Sequence, residues 1–174
     1  MSGRTTDPVV ALAWASLSAW TLEHKHIDVP DDTPPELTHQ RAGCFVSLQE
    51  DGQLRGCIGT LGPTQDSLAE EIIMNAISAC SRDPRFPPVL PEELEHIDCK
   101  VDVLGEPERI EGPEQLDVKR YGVIVSRGMR RGVLLPDLEG VDTVDEQIAI
   151  AKSKAGIAVH ESCELQRFQV VRHV

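Results

Sequence analysis

Val9, Val10, Ala13, Trp14, Leu17, Trp20 and Thr21 recur at helical spacing, and the pattern runs on into Glu23 and Lys25. It predicts an amphipathic first helix with one face on a core. An acidic, proline-rich loop follows from Asp28 to Glu36. Gly43–Gln49 then reads as a strand, Asp51-Gly52 as a hairpin turn, and Gln53–Thr60 as the returning strand. Leu68, Ile72, Ile73, Ala76, Ile77 and Cys80 form a second helical stripe. Gly62 and Pro63 suit its entry, and the prolines of Asp83-Pro84-Arg85-Phe86-Pro87-Pro88 end it.

Pro91–Glu95 is a short turn or helix, Cys99–Leu104 an alternating strand, and Gly105–Glu114 a loop. Gly122–Ser126 and Gly132–Leu135 read as strands joined by a turn at Arg127–Arg130. Thr143 and Glu146 make a capping box for a helix carrying Ile148, Ala151 and Ala155, which Gly156 stops. Leu165–Val174 reads as one final strand. Hairpins outnumber strand–helix–strand units, so the expected fold class is α+β, a largely antiparallel sheet flanked by helices.

Composition narrows the function classes. A chain of 174 residues makes one domain, residues 1–174. Its net charge of -12 repels phosphate backbones, and 3% aromatics leave little for stacking on bases, so nucleic acid is not the expected partner. No apolar run reaches membrane-spanning length. Arg4 before Val9–Trp20 faintly imitates a leader, but Asp7 and Pro8 spoil its basic region, so a cytoplasmic protein is expected. The five cysteines are odd in number, widely spaced and without a CxxC pair, which fits reduced thiols better than a zinc site. His24 and His26 fall at a helix end, where they cannot share a face, so no metal is expected there.

Candidate chemistry lies in Leu54-Arg55-Gly56-Cys57-Ile58-Gly59. A hairpin closed at Asp51-Gly52 sets Val46 opposite Cys57, Leu48 opposite Arg55 and Cys44 opposite Gly59. Leu54 and Ile58 then face a core. Arg55 and Cys57 share the other face, with Cys44 diagonal to Cys57. A guanidinium near a thiol favours the reactive thiolate, which makes Cys57 and Arg55 the candidate catalytic pair. Gly56 and Gly59 suit close approach by a backbone or a ligand. The N–H groups of the next helix, near Thr60–Thr64, would be free to receive an anion. The competing reading is a buried, inert thiol and an ion-paired arginine. A base is missing from the motif, and His39, His96 or His160 would reach Cys57 only through the fold.

Two further features stand out. Lys119, Arg120, Arg127, Arg130 and Arg131 fall in a stretch, Val118–Pro136, without any acid. Arg127, Arg130 and Arg131 are therefore candidate clamps for a carboxylate or phosphate, or else pair with acidic loops elsewhere. Asp83 and Arg85 either brace a corner over a core-plugging Phe86 or line a ligand site. Glu92, Glu93 and Glu95 read as a solvated face.

The hexapeptide resembles the hallmark of the AMMECR-one domain family. Other segments agree in order: Asn75-Ala76, Asp83-Pro84-Arg85-Phe86, Val101–Leu104, Gly132–Pro136 and Lys154-Ala155-Gly156-Ile157. The resemblance implies an α+β fold with a larger and a smaller lobe, a cleft between them, and the hexapeptide on an interior strand near it. It also implies kinship with protein A of the AmmeMemoRadiSam system, found beside or fused to Memo-like and radical S-adenosylmethionine proteins. Members often carry Gln-Val after the "LLP" block and a tryptophan before the next helix. This chain has Asp137-Leu138-Glu139-Gly140-Val141 instead. The resemblance supplies no reaction and no cofactor. Two readings follow: an accessory or enzyme-like protein with a thiol/arginine site for a small anionic ligand, or a non-catalytic protein-interaction module.

Overall fold

A computed structural model describes residues 5–174, so Arg4 of the leader-like pattern lies outside the described residues. The chain divides into two compact units. The larger holds the chain through Leu104 together with Val171–Val174, and the smaller is Gly105–Val170. Each is α+β.

In the larger unit, helix α1 (Pro8–Glu23) starts where Asp7 caps the amides of Val9 and Val10. It ends at His24, whose φ of 52° cannot continue the helix, so the repeat stops short of Lys25. A short helix, α2 (Pro35–His39), follows the acidic loop. Strands β1 (Cys44–Glu50) and β2 (Gln53–Gly59) form the expected hairpin. Helix α3 (Leu68–Ser81) begins later than Pro63 suggests, because Ser67 caps it by accepting from the Glu70 amide. A 3₁₀ turn over Pro91–His96 leads into β3 (Ile97–Leu104). With β8 (Val170–His173) the sheet order is β2-β1-β3-β8. Helices α1 and α3 cover one face, where Cys44, Val46 and Leu48 meet Leu17, Ile72, Ile73, Ala76 and Val101. The period-2 burial of β1 follows from that one-sided cover.

The smaller unit is a sheet of order β4-β7-β5-β6 under one helix. Its strands are β4 (Glu108–Ile110), β5 (Gly122–Arg127), β6 (Arg130–Leu134) and β7 (Glu164–Phe168). Helix α4 (Val144–Ala155) packs on β5 and β6 over Val123, Val125, Leu134 and Ala151. Thr143 caps it, and Gly156, at φ +70°, ends it as expected. Two expectations need correction. The final strand is two strands, β7 and β8, which join different sheets. The loop Gly105–Glu114 contains β4, three residues held by pairing with β7 rather than by their own β-propensity. Among the described residues, no helix is long and apolar enough to cross a membrane.

Candidate functional site

The hexapeptide lies on β2, an edge strand, and its register decides its chemistry. Glu50 pairs with Gln53 and Gln49 with Leu54, as a tight Asp-Gly turn requires. The register then shifts: Leu48 pairs with Gly56, Ser47 with Cys57, Val46 with Ile58 and Phe45 with Gly59. Arg55 is the extra residue of a β-bulge. Every partner expected beyond the bulge is therefore wrong by one position. The single inserted residue breaks the alternation between Leu54, before it, and the side chains that follow.

The consequences are specific. Leu54 is 46% exposed rather than in the core, whereas Ile58 does pack against the core. Gly56 faces α3 so closely that a Cβ would lie 2.3 Å from the Ala79 carbonyl oxygen. Gly59 lies under the Phe45 ring, 2.3 Å from a would-be Cβ to Cγ. Both glycines thus admit the chain's own groups. Cys44 is fully buried on the helix-covered face, and Cys57 lies on the opposite one, so they are not diagonal neighbours.

Arg55 and Cys57 do not act together. The buried Arg55 reaches Glu93 through two bonds, Nε to Oε1 at 2.8 Å and Nη2 to Oε2 at 3.1 Å. It also donates to the Pro88 carbonyl and lies 3.9 Å from Glu50. Glu93 accepts from the Leu90 amide as well, and Arg55 holds its carboxyl below the ordinary range. Glu93 is thus a structural acid and no solvated one. Phe86 is no core plug: it is half-buried between the guanidiniums of Arg55 and Arg85, with Val89 in the core instead.

Cys57 answers to other groups. Its Sγ is 3.2 Å from Ser47 Oγ across the hairpin. Burial pushes the thiol up; the Ser47 bond and the Arg85 charge oppose this, and Asp102 and Asp83 reinforce it. The other hexapeptide-side thiol, Cys44, is pushed up to about 12 by burial.

The outward backbone of β2 is occupied. Asp83 accepts from the Cys57 amide at 3.0 Å, and Arg85 Nη2 donates to the Cys57 carbonyl at 3.2 Å. Asp83 also takes the Arg85 amide, Nε and Nη2. Mainly through Arg85, its carboxyl is held well below the usual range. This pair imitates a neighbouring strand and closes the edge at Cys57.

The anion site expected near Thr60–Thr64 is also filled from within. Buried Glu71 accepts from the Thr60 hydroxyl, from the Thr64 amide and hydroxyl, and from the Gln65 amide. Asn75 ties the same loop to β1 by donating to Cys44 O and Thr60 Oγ1. The helix N-terminus itself lies farther along, at Ser67.

The second candidate group belongs to the smaller unit. Arg127 and Arg130 both bind Glu161, at 3.0 and 2.8 Å. Arg127 also donates to the carbonyl and hydroxyl of Ser162, and Arg130 to the Gly156 carbonyl. Arg130, first among the causes, lowers the Glu161 carboxyl to about 2. Arg131 is exposed and, by strand alternation from Gly132, which packs on α4, points to the opposite face from Arg130. The three arginines therefore do not form one clamp. Among the described residues, no group of three or more histidine, cysteine or acidic side chains is arranged to hold a metal ion.

Ser47, Glu71 and Asp102 carry no sequence signal of their roles, and Glu93, expected on a solvated face, binds Arg55 instead. Asp102 is buried on β3 and accepts from Arg172 at 2.8 Å. The pairing of Ser47 with Cys57 depends on the bulge at Arg55, which no local sequence signal marks.

With this geometry established, comparison with known proteins gives the family. Residues 10–173 match the AMMECR1 family pattern. The chain belongs to the AMMECR1 family. A protein of Thermotoga maritima is 51% identical over 168 residues, 95% of this chain and 97% of its own. Protein CA_C1420 of Clostridium acetobutylicum is 50% identical over 168 residues, 96% of this chain but only 36% of its own. The crystal structure of the uncharacterized protein PH0010 from Pyrococcus horikoshii superposes with a TM-score of 0.87 at 36% identity, covering 94% of this chain and 88% of that one. The α+β fold class expected from the hairpin pattern, and the family that the hexapeptide and its companion segments resemble, are thereby established.

Proposed function

We propose that this AMMECR1 protein is a partner-dependent accessory module rather than a thiolate enzyme, and that its partners are Memo-like and radical S-adenosylmethionine proteins. One observation carries the reading: the hexapeptide's groups are spent on internal support. Arg55 is neutralised by Glu93, the Cys57 backbone is braced by Asp83 and Arg85, and the Cys57 thiol is pushed up by burial. A nucleophile needs the opposite, a lowered pKa and a base. The 36% share that this domain takes of CA_C1420 supports a module working beside other protein parts.

The test is co-purification of this chain with the Memo-like and radical proteins of its own genome. A stable complex, kept by Cys57→Ser, is expected. Failure to bind either protein would reject the reading.

A second reading, a small anion beside Cys57, is favoured by Arg85, whose side chain is 54% exposed and reaches the Cys57 carbonyl. Calorimetric titration with phosphate and acetate tests it; binding lost in Arg85→Ala supports it, and silence rejects it.

A further inference from the structure

The hairpin of β5 and β6 turns at Gly128-Met129. Gly128, at φ +62°, supplies the conformation that the turn needs. The second turn position is unconstrained, and polar residues ordinarily fill it. Here it is Met129, fully exposed at 102%. Beside the hairpin runs the segment 157–163, whose Val159 is 80% exposed.

These two segments are bound together with more bonds than an idle loop needs. Glu161 is gripped by Arg127 and Arg130, and accepts from the Ala158 amide at 2.9 Å. Lys152 of α4 donates to the carbonyls of Val159 and Glu161. The result is a fixed platform that presents two apolar side chains to water. Its charge is the reverse of the protein's: Arg127, Arg130 and Lys152 all bind Glu161, two at its carboxylate and one at its carbonyl, in a chain of net charge -12. Cations around exposed Met and Val side chains match an acidic surface that offers an apolar residue.

We infer that Met129, Val159 and the cations around Glu161 form the docking surface for an acidic segment of a partner protein. The segment inserts an apolar side chain between Met129 and Val159 and turns its carboxylates to Arg127, Arg130 and Lys152. Arg131, on the opposite face of β6, takes no part. This inference rests on the partner-dependent reading above and gives it a location.

The test uses the photo-crosslinker p-benzoylphenylalanine placed at position 129 or 159 in the full chain, expressed in cells that carry the natural partners. Leu22 and Val171, exposed apolar positions in the larger unit, serve as control sites. The expected result is an adduct at 129 and 159 whose crosslinked peptide is rich in Asp and Glu. Its yield should fall about fivefold or more with Arg127→Gln or in about 0.5 M NaCl, and be unchanged by Arg131→Glu. Arg127 is exposed, Glu161 keeps its bonds to Arg130, and Met129 sits in a turn, so neither change threatens folding. An adduct to a second copy of this chain, to nucleic acid, or to a peptide without excess acid overturns the inference. So does capture at Leu22 or Val171 alone, which would leave the partner reading standing. Silence at all four positions, with failed co-purification, overturns both.

Discussion

Asp83→Asn isolates the brace that holds the hexapeptide. The Asp83 carboxylate is 2% exposed and accepts from four donors, the Cys57 amide and the Arg85 amide, Nε and Nη2. A buried charge-assisted bond contributes roughly 1.5–3 kcal/mol. The Arg85 partner is 54% exposed, so water screens its ion pair towards the surface value of roughly 0.2–1 kcal/mol. Together these give a loss of roughly 2–4 kcal/mol for the variant at neutral pH. For a chain of this size that corresponds to a melting temperature lower by roughly 4–15 °C. Both tryptophans, Trp14 and Trp20, belong to α1 of the larger unit, so their fluorescence in urea follows its unfolding. The pH dependence has a definite sign. The folded pKa of Asp83 is lowered, so the stabilisation is full above the unfolded value near 3.9 and is lost as pH falls through the lower folded value. The gap between wild type and variant is constant from pH 8 to about 5 and narrows below about 4. A variant within about 0.5 kcal/mol of wild type at pH 7, or a gap unchanged at pH 3, would refute the brace.

Other changes test the remaining structural claims. Gly56→Ala puts a Cβ 2.3 Å from the Ala79 carbonyl, and should cost about 1–3 kcal/mol or more, read as a lower urea midpoint. Gly156→Ala meets no atom within 4 Å, so it should cost only the left-handed backbone term, about 1–2 kcal/mol, in thermal unfolding. Glu71→Gln weakens the grip on the 60–65 loop; amide exchange at Thr64 and Gln65 should accelerate roughly tenfold, about 1.4 kcal/mol, while α4 is unaffected. Equal acceleration in α4 would mean a global effect instead.

Much of the fold is legible along the chain because helix stripes, the Asp51-Gly52 turn and the Thr143 and Gly156 caps are local signals. What is not legible depends on distant partners. Strand β4 exists only because β7 pairs with it, and the ending of the chain divides between two sheets. The site suffers most from one bulge. Arg55 carries no local mark that it is an inserted residue, yet its insertion removes the guanidinium from Cys57 and sends it to Glu93. Likewise Glu71 and Glu93 resemble ordinary acids of helix or turn. Their roles come from the amides, hydroxyls and guanidinium that the fold brings to them.

The pH profile of Cys57 alkylation bears most directly on whether the hexapeptide is a braced edge or a catalytic thiolate. Iodoacetamide labelling, resolved by peptide mass spectrometry, should leave Cys57 slow at pH 7, with a midpoint above the ordinary thiol value of about 8.5. Cys44 and Cys99, pushed up to about 12 by burial, should label only on unfolding. Rapid, selective modification of Cys57 with a midpoint below about 7 would contradict the account and restore the thiolate reading.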